Sequence, residues 1–403
     1  MANIADIQSP SPSTLPLIPK QQLPIVLLGV AGLCAVALLA IQNGNLNRGM
    51  AVLIGGFAGF ALYHASFGFT AAWRRIVVER RGNGLRAQML LIGITCCVSF
   101  FLIDYGRDVT LPWFGGEDWT LRTGGFVNPW GVGSAIGAFM FGFGMMFGGG
   151  CASGTLFTSG GGSSRMAITL FFFIMGSVIA THHLGFWHGL PRFGGYSFVN
   201  DLGAPSALLL FLTVLGAIYI GTIVIEKRTW GDTEGFGETE SLLRGKWSKL
   251  IGALALVIVS VGTLLVLHRP WGITSGFALW GAKMFYAVGI PVQEWPAWSV
   301  NRLERSVFAD ATSVMNFGII FGAMVAAGLA GRYKPTFKIA PKDLATAIIG
   351  GLLMGYGARL AYGCNIGAYL GGLVSGSMHG WWWLIFGFMG SVLGTRMKLR
   401  FNL

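Results

Sequence analysis

Residues 137–154 read GAFMFGFGMMFGGGCASG, and residues 350–367 read GGLLMGYGARLAYGCNIG. At an offset of 213 (364 − 151), Gly137, Gly142, Gly144, Gly150, Cys151 and Gly154 fall on Gly350, Gly355, Gly357, Gly363, Cys364 and Gly367. The likeness resumes one residue out of register, with MGSVIAT at 175–181 against MGSVLGT at 389–395. An apolar helix, a Gly-Cys break and a second apolar helix therefore occur twice. Paired interrupted apolar segments point to the binding site of a membrane transporter.

The chain has 403 residues, 53% of them hydrophobic and 11% charged, against about 25% charged in soluble domains. This composition predicts an all-α polytopic membrane protein in a lipid bilayer. A span needs about 20 apolar residues. Candidates lie at 24–42, 50–71, 88–105, 131–150, 164–182, 205–225, 249–267, 313–331, 343–362 and 379–395, about ten in all. The Trp- and Gly-rich stretch 271–290 reads as a further half-buried helix. Residues 1–23 read as a disordered tail, 24–49 as an extra N-terminal helix and loop, and 50–225 as the first repeat half. Residues 226–248 form a cytoplasmic linker, and 249–403 the second half. The run at 24–42 lacks a basic flank and a clear cleavage site, so it reads as an anchor and not as a removed signal peptide.

The net charge of +12 does not indicate nucleic acid, because the basic residues gather in short loops between apolar runs. With the N-terminus inside, loop 72–87 (Arg74, Arg75, Arg80, Arg81, Arg86), loop 226–248, loop 332–342 and the C-terminal tail all fall on the cytoplasmic side, as the positive-inside rule expects. The helix before Cys151 then runs inward and the helix before Cys364 outward, so the repeats are inverted. Irregular backbone at membrane depth survives only when buried in protein or lining a cavity. Segments 151–163 and 364–378 therefore read as re-entrant Gly-Cys segments meeting near the midplane.

Gly150, Gly154, Gly363 and Gly367 let the backbone leave one helix and start another, and the freed N–H groups suit an anion. A thiol there is soft and weakly hydrogen-bonding, better matched to a sulfur-bearing anion than to a hydrated metal ion. Arg359, five residues before Cys364, stands in an otherwise apolar helix, opposite Met146 in the first repeat. It reads either as an anion attractor or as a snorkelling or carbonyl-paired Arg that joins two helices. A lone Cys in an apolar helix is usually a small hydrophobe. That reading fits Cys34, Cys96 and Cys97, whereas Cys151 and Cys364 are candidate substrate contacts because two equivalent breaks both carry a thiol. His182, His183 and His188 read as interfacial groups in preference to a metal site, and His379–Trp383 as an outer aromatic belt. No nucleophile triad, paired carboxylates or Walker motif is present, so neither enzyme chemistry nor a cofactor is expected, and any transport is secondary or facilitated unless separate subunits energise it.

The motifs GGGCASG at 148–154 and YGCNIGA at 362–368, with GxGARLAxGC from Gly355 to Cys364, resemble the YeeE/YedE sulfur-transport family of membrane proteins. The resemblance implies uptake of thiosulfate or a related sulfur-containing anion across a bacterial inner membrane through a cysteine-lined, hourglass-shaped protein. It also implies a small cytoplasmic sulfurtransferase-like partner. One departure stands out. The family's third cysteine falls on Gly68, in His64-Ala-Ser-Phe-Gly-Phe69, where two family arginines become His64 and Ser66. A relay needing three thiols would be broken here. A membrane thiol oxidoreductase handling persulfide, and a non-transporting adaptor for a sulfurtransferase, are the rival readings.

Overall fold

A computed structural model of the chain describes residues 20–106, 109–112, 118–121 and 123–401. The expected tail at 1–23 lies, up to residue 19, outside the described residues. The first half holds α1 (Leu23–Asn43), α2 (Leu46–Ala65), α3 (Phe69–Val78), α4 (Asn83–Tyr105), α5 (Val132–Gly148), α6 (Ala152–Gly160) and α7 (Ser164–His182). Short α8 (Leu184–His188) and α9 (Phe198–Leu202) lead into the long α10 (Ala204–Trp230). The second half holds α11 (Lys249–Leu267), α12 (Thr274–Ala287), short α13 (Val300–Glu304), α14 (Ala311–Leu329) and α15 (Pro341–Leu360). It ends with a π-helical turn (Asn365–Leu370), one helical turn α16 (Gly371–Leu373) and α17 (Met378–Arg400). Two small antiparallel ribbons pair Thr110–Pro112 with Asp118–Thr120 and Trp130–Gly131 with Arg192–Phe193.

Among the described residues, nine helices are long and apolar enough to cross a membrane. The tenth expected span, 379–395, is helix α17, where Trp, Gly and His dilute the apolar character. The expected span 50–71 is not one helix. It divides into α2 and α3 at Ser66–Gly68, with Ser66 in the left-handed conformation (φ 44°). A matching division separates α11 from α12, with His268 left-handed (φ 54°). Each half therefore carries two helix breaks.

The packing shows the inversion directly. A Cβ on Gly137 would meet Leu360, and one on Gly144 would meet Leu353, so α5 and α15 run antiparallel. Gly142 and Gly390 place α17 parallel to α5, while Gly176 and Gly355 place α15 parallel to α7. The α5–α17 contact has its counterpart in α15–α7, with the halves exchanged, as a two-fold axis in the membrane plane requires. The same relation holds for α2 and α11, which Gly252 against Ala65 and Gly262 against Ile54 make antiparallel. Glycine permits these approaches: a Cβ on Gly142 would land on the Gly387 carbonyl oxygen. Small residues bring membrane helices into backbone contact in this way.

The basic clusters collect at one end of the bundle. Arg75 pairs with Glu234 at 3.1 Å and Arg81 with Asp232 at 2.7 Å, joining the α3–α4 loop to the linker after α10. Arg165 and Lys398 donate to the carbonyls of Phe147 (3.0 Å) and Met146 (3.1 Å), which satisfies acceptors left open at the end of α5. The aromatic-belt reading of His379–Trp383 is corrected at its two ends. His379 and Trp383 are each 1% exposed and sit in the protein core. Their helix faces the other repeat, and Trp383 packs on Trp73, Phe141 and Tyr369.

Candidate functional site

Cys151 caps α6 with φ −81° and ψ −170°, and Cys364 caps the π turn with φ −95° and ψ −168°. The two breaks thus share one backbone solution. Both thiols are buried, at 1% and 0% exposure. Thr155 N–H donates to Cys151 O and Ala368 N–H to Cys364 O, each at 2.8 Å, as the first helical bonds. The N–H groups ahead of them have no intrahelical acceptor. Those of Ile366 and Gly367 point at Cys364 Sγ, and Cys151 Sγ lies 3.3 Å from Ser153 Oγ.

The four half-helices meet around the π turn. α6 packs on it. Phe69 and Trp73 of α3 make edge contacts with Tyr369 at 5.9 Å. Gly272, just before α12, lies 3.7 Å from where a Cβ on Gly367 would be. Several N-terminal dipole ends therefore face one region, an arrangement suited to negative charge.

The four expected turn glycines are not equivalent. A Cβ on Gly363 would lie 2.7 Å from Ala368 N, so no side chain fits. Trp383 Nε1 donates to its carbonyl at 3.2 Å. Gly150 is tight, its Cβ 3.3 Å from Gly154 C, whereas Gly154 and Gly367 have ordinary 3.7 Å spacing. The left-handed turn of the first break is made by Gly149 (φ 84°), a residue sequence reasoning passed over.

Arg359 lines a cavity of about 240 Å³ together with Arg269, Thr274, Ser275, Thr312 and Gly367. Its Nε is buried with no hydrogen-bond partner among the described residues. Arg269 donates to Thr312 Oγ1 at 2.9 Å and also borders a second cavity, of about 440 Å³, with Arg48, Arg302 and Arg305. Asp310, the acidic residue there, already accepts from Ser313 N–H at 2.8 Å. Net positive potential therefore leads to the Cys364 break. Burial, with Arg192 and Arg359 nearby, lowers the pKa of His188, so its imidazole stays neutral near pH 7. Arg269 could not be singled out from sequence, because His268-Arg269-Pro270 reads as an ordinary loop after an apolar run.

The sulphur-transport family model matches residues 64–393, 330 of the 403 positions. The chain belongs to the sulphur-transport family. It is 25% identical over 358 residues to the thiosulfate transporter TsuA of Escherichia coli (strain K12), covering 84% of this chain and 91% of that protein. It is 29% identical over 277 residues to TsuA of Spirochaeta thermophila, covering 64% and 76%. The probable transporter YedE of E. coli is 31% identical over 153 residues, and the match spans 38% of that protein.

Against this family background Gly68 is informative. It caps α3 in extended backbone (φ −127°, ψ 128°), and a Cβ there would find no atom closer than 3.9 Å. The break persists without a thiol. Of the other cysteines, Cys96 is buried and Cys34 and Cys97 face outward, and all five are free. His182 packs on Trp295 (4.8 Å), and His183 Nδ1 lies 3.0 Å from Tyr356 Oη. Aromatic and hydroxyl neighbours engage these two rings.

Proposed function

We propose that this protein is a permease that imports thiosulfate, or a closely related sulfur-containing anion, across a bacterial inner membrane with both termini in the cytoplasm. The observation that carries this reading is the pair of buried thiols on equivalent, oppositely entered breaks that touch each other. The cationic cavity at Arg269 and Arg359 gathers the anion on the outer face. Cys364 receives it with the Ile366 and Gly367 amides beside it. Cys151, reached from the other side, passes it on. Gly150, Gly154, Gly363 and Gly367 keep the passage open at the turns. The thiols act as soft, polarizable contacts, so no bond to sulfur is made or broken. The basic cytoplasmic end offers a docking face for a small sulfurtransferase-like partner that takes up the imported anion.

Arg359 supplies the test of the entry step. Arg359 is half-buried with its Nε unsatisfied, and losing an unsatisfied buried donor removes its cost, so Arg359→Gln folds about as stably as wild type. Labelled-thiosulfate uptake by this variant falls by about tenfold or more through a raised KM, the loss of one charge-assisted contact of roughly 1.5–3 kcal/mol. Unchanged KM would remove Arg359 from the pathway.

A further inference from the structure

We infer that the cavity of about 440 Å³ bounded by Arg48, Arg269, Arg302 and Arg305 is a second ligand site, for a phosphate-bearing anion larger than thiosulfate. The site stands on its own residues; its effect on uptake rests on the permease reading. Size separates it from the entry cavity. Pockets for small organic molecules hold roughly 300–1,000 Å³. The entry cavity beside Arg359, at about 240 Å³, falls below that range, and the second cavity falls inside it. A ligand that fills the second cavity is therefore larger than one central atom with four neighbours.

Charge sets the class. Four guanidinium groups against the single carboxylate of Asp310 leave a formal charge of +3 on the lining. Among the described residues, none of the four is ion-paired with a carboxylate. Arg269 donates to Thr312 Oγ1 at 2.9 Å, and Arg302 lies 4.9 Å over the Trp298 ring. Both partners are neutral, so the positive charge is not cancelled. Asp310 caps α14, its Oδ2 accepting from Ser313 N–H at 2.8 Å. Guanidinium groups hold phosphate through two parallel N–H···O bonds. Leu267, Leu279, Ala309 and Ala311 supply an apolar wall for the rest of the ligand.

Position points to a ligand other than the transported ion. No residue of either thiol break lines this cavity. Arg48 precedes residue 64, where the family match begins, so one wall is built outside the matched region. The charges lie at the end of α2 remote from the Arg75 and Arg81 cluster. In the proposed orientation that is the outer end, where the positive-inside rule expects few cations. Four of them around one cavity answer to a ligand's negative charge. Two sources share this chemistry: the headgroup of an anionic phospholipid, and a free organic or condensed phosphate. Arg269 borders both cavities, so an occupant here engages the guanidinium that serves the entry.

The test titrates sodium pyrophosphate into the full chain in detergent, without divalent cations, and reads binding by calorimetry. A parallel arm uses native mass spectrometry to count phosphatidylglycerol retained by protein released from nanodiscs of that lipid. Arg48→Gln and Arg305→Gln are each expected to weaken pyrophosphate binding by about tenfold or more, while Arg359→Gln, outside the cavity, binds it like wild type. A retained phosphatidylglycerol that pyrophosphate displaces, and that the two variants lack, makes the lipid headgroup the natural occupant. Pyrophosphate binding without retained lipid makes it the free anion. Wild-type protein that neither binds pyrophosphate nor retains the lipid overturns the site. So does binding that survives in Arg48→Gln and Arg305→Gln and is lost in Arg359→Gln. In phosphatidylcholine liposomes, pyrophosphate is expected to raise the KM for thiosulfate in wild type and not in the Arg48→Gln, Arg305→Gln double variant. An unchanged wild-type KM with the site filled overturns the link through Arg269. Wild-type protein that binds pyrophosphate yet takes up no thiosulfate keeps the site and removes the permease reading.

Discussion

Replacing Cys364 with alanine is expected to reduce thiosulfate uptake to the level of vesicles without protein, and replacing Cys151 is expected to do the same. The two residues occupy matched positions, each the first non-helical residue before a half-helix and each buried. An anion crossing the region where α6 meets the π turn passes both. The thiol offers a polarizable face and a weak S–H donor, and alanine offers neither. The fold does not depend on the thiols. Among the described residues, Sγ of Cys151 has only the Ser153 hydroxyl as a polar partner, at 3.3 Å, and trimming a group this small costs less than about 1.5 kcal/mol. Both variants therefore melt near wild type in detergent while losing uptake. Uptake within a factor of about two of wild type, a difference of some 0.4 kcal/mol, would remove the thiols from the mechanism.

The second large effect is on stability. Glu226, near the end of α10, has a fully buried side chain. It pairs with Arg86 at 2.6 Å and Arg81 at 3.1 Å and accepts from Glu234 N–H at 3.0 Å. Glu226→Ala leaves Arg86, itself 4% exposed, without its carboxylate, and breaking a buried pair in this way costs about 3–5 kcal/mol. The same carboxylate fastens the linker to the α3–α4 end, so the linker loosens with it. Removing both charges together, in Glu226→Met with Arg86→Met, recovers most of the loss, because apolar groups of similar volume replace such pairs at little cost. Melting temperatures in one detergent check both statements. A Glu226→Ala melting temperature equal to wild type would mean that the pair is not formed.

Much of this architecture can be read from residue order. The two GxG…GC segments announce the thiol breaks, and the arginines and lysines in alternate loops announce which loops share one end of the bundle. Nine of the ten apolar runs become helices that meet the length and hydropathy needed to span. The breaks at Ser66–Gly68 and 268–273 were legible only in part. Ala65-Ser66-Phe67-Gly68-Phe69 keeps the apolar composition of a continuous span, and the chain turns there through one left-handed serine. His379 and Trp383 resemble a belt in sequence, because interfacial and buried aromatic residues share one composition. Only packing against the other repeat separates them. Arg269 carries no sequence signal at all. Its interest comes from what surrounds it in space, a cavity that it lines together with Arg359.

The most direct measurement of the central claim is uptake of labelled thiosulfate by the purified wild-type protein in liposomes, with sulfate in excess as competitor. The account predicts saturable uptake that excess sulfate fails to suppress, since sulfate lacks the terminal sulfur that the thiols contact, and that vanishes in Cys151→Ala and Cys364→Ala. Well-folded wild-type protein that takes up no more thiosulfate than empty liposomes would contradict it.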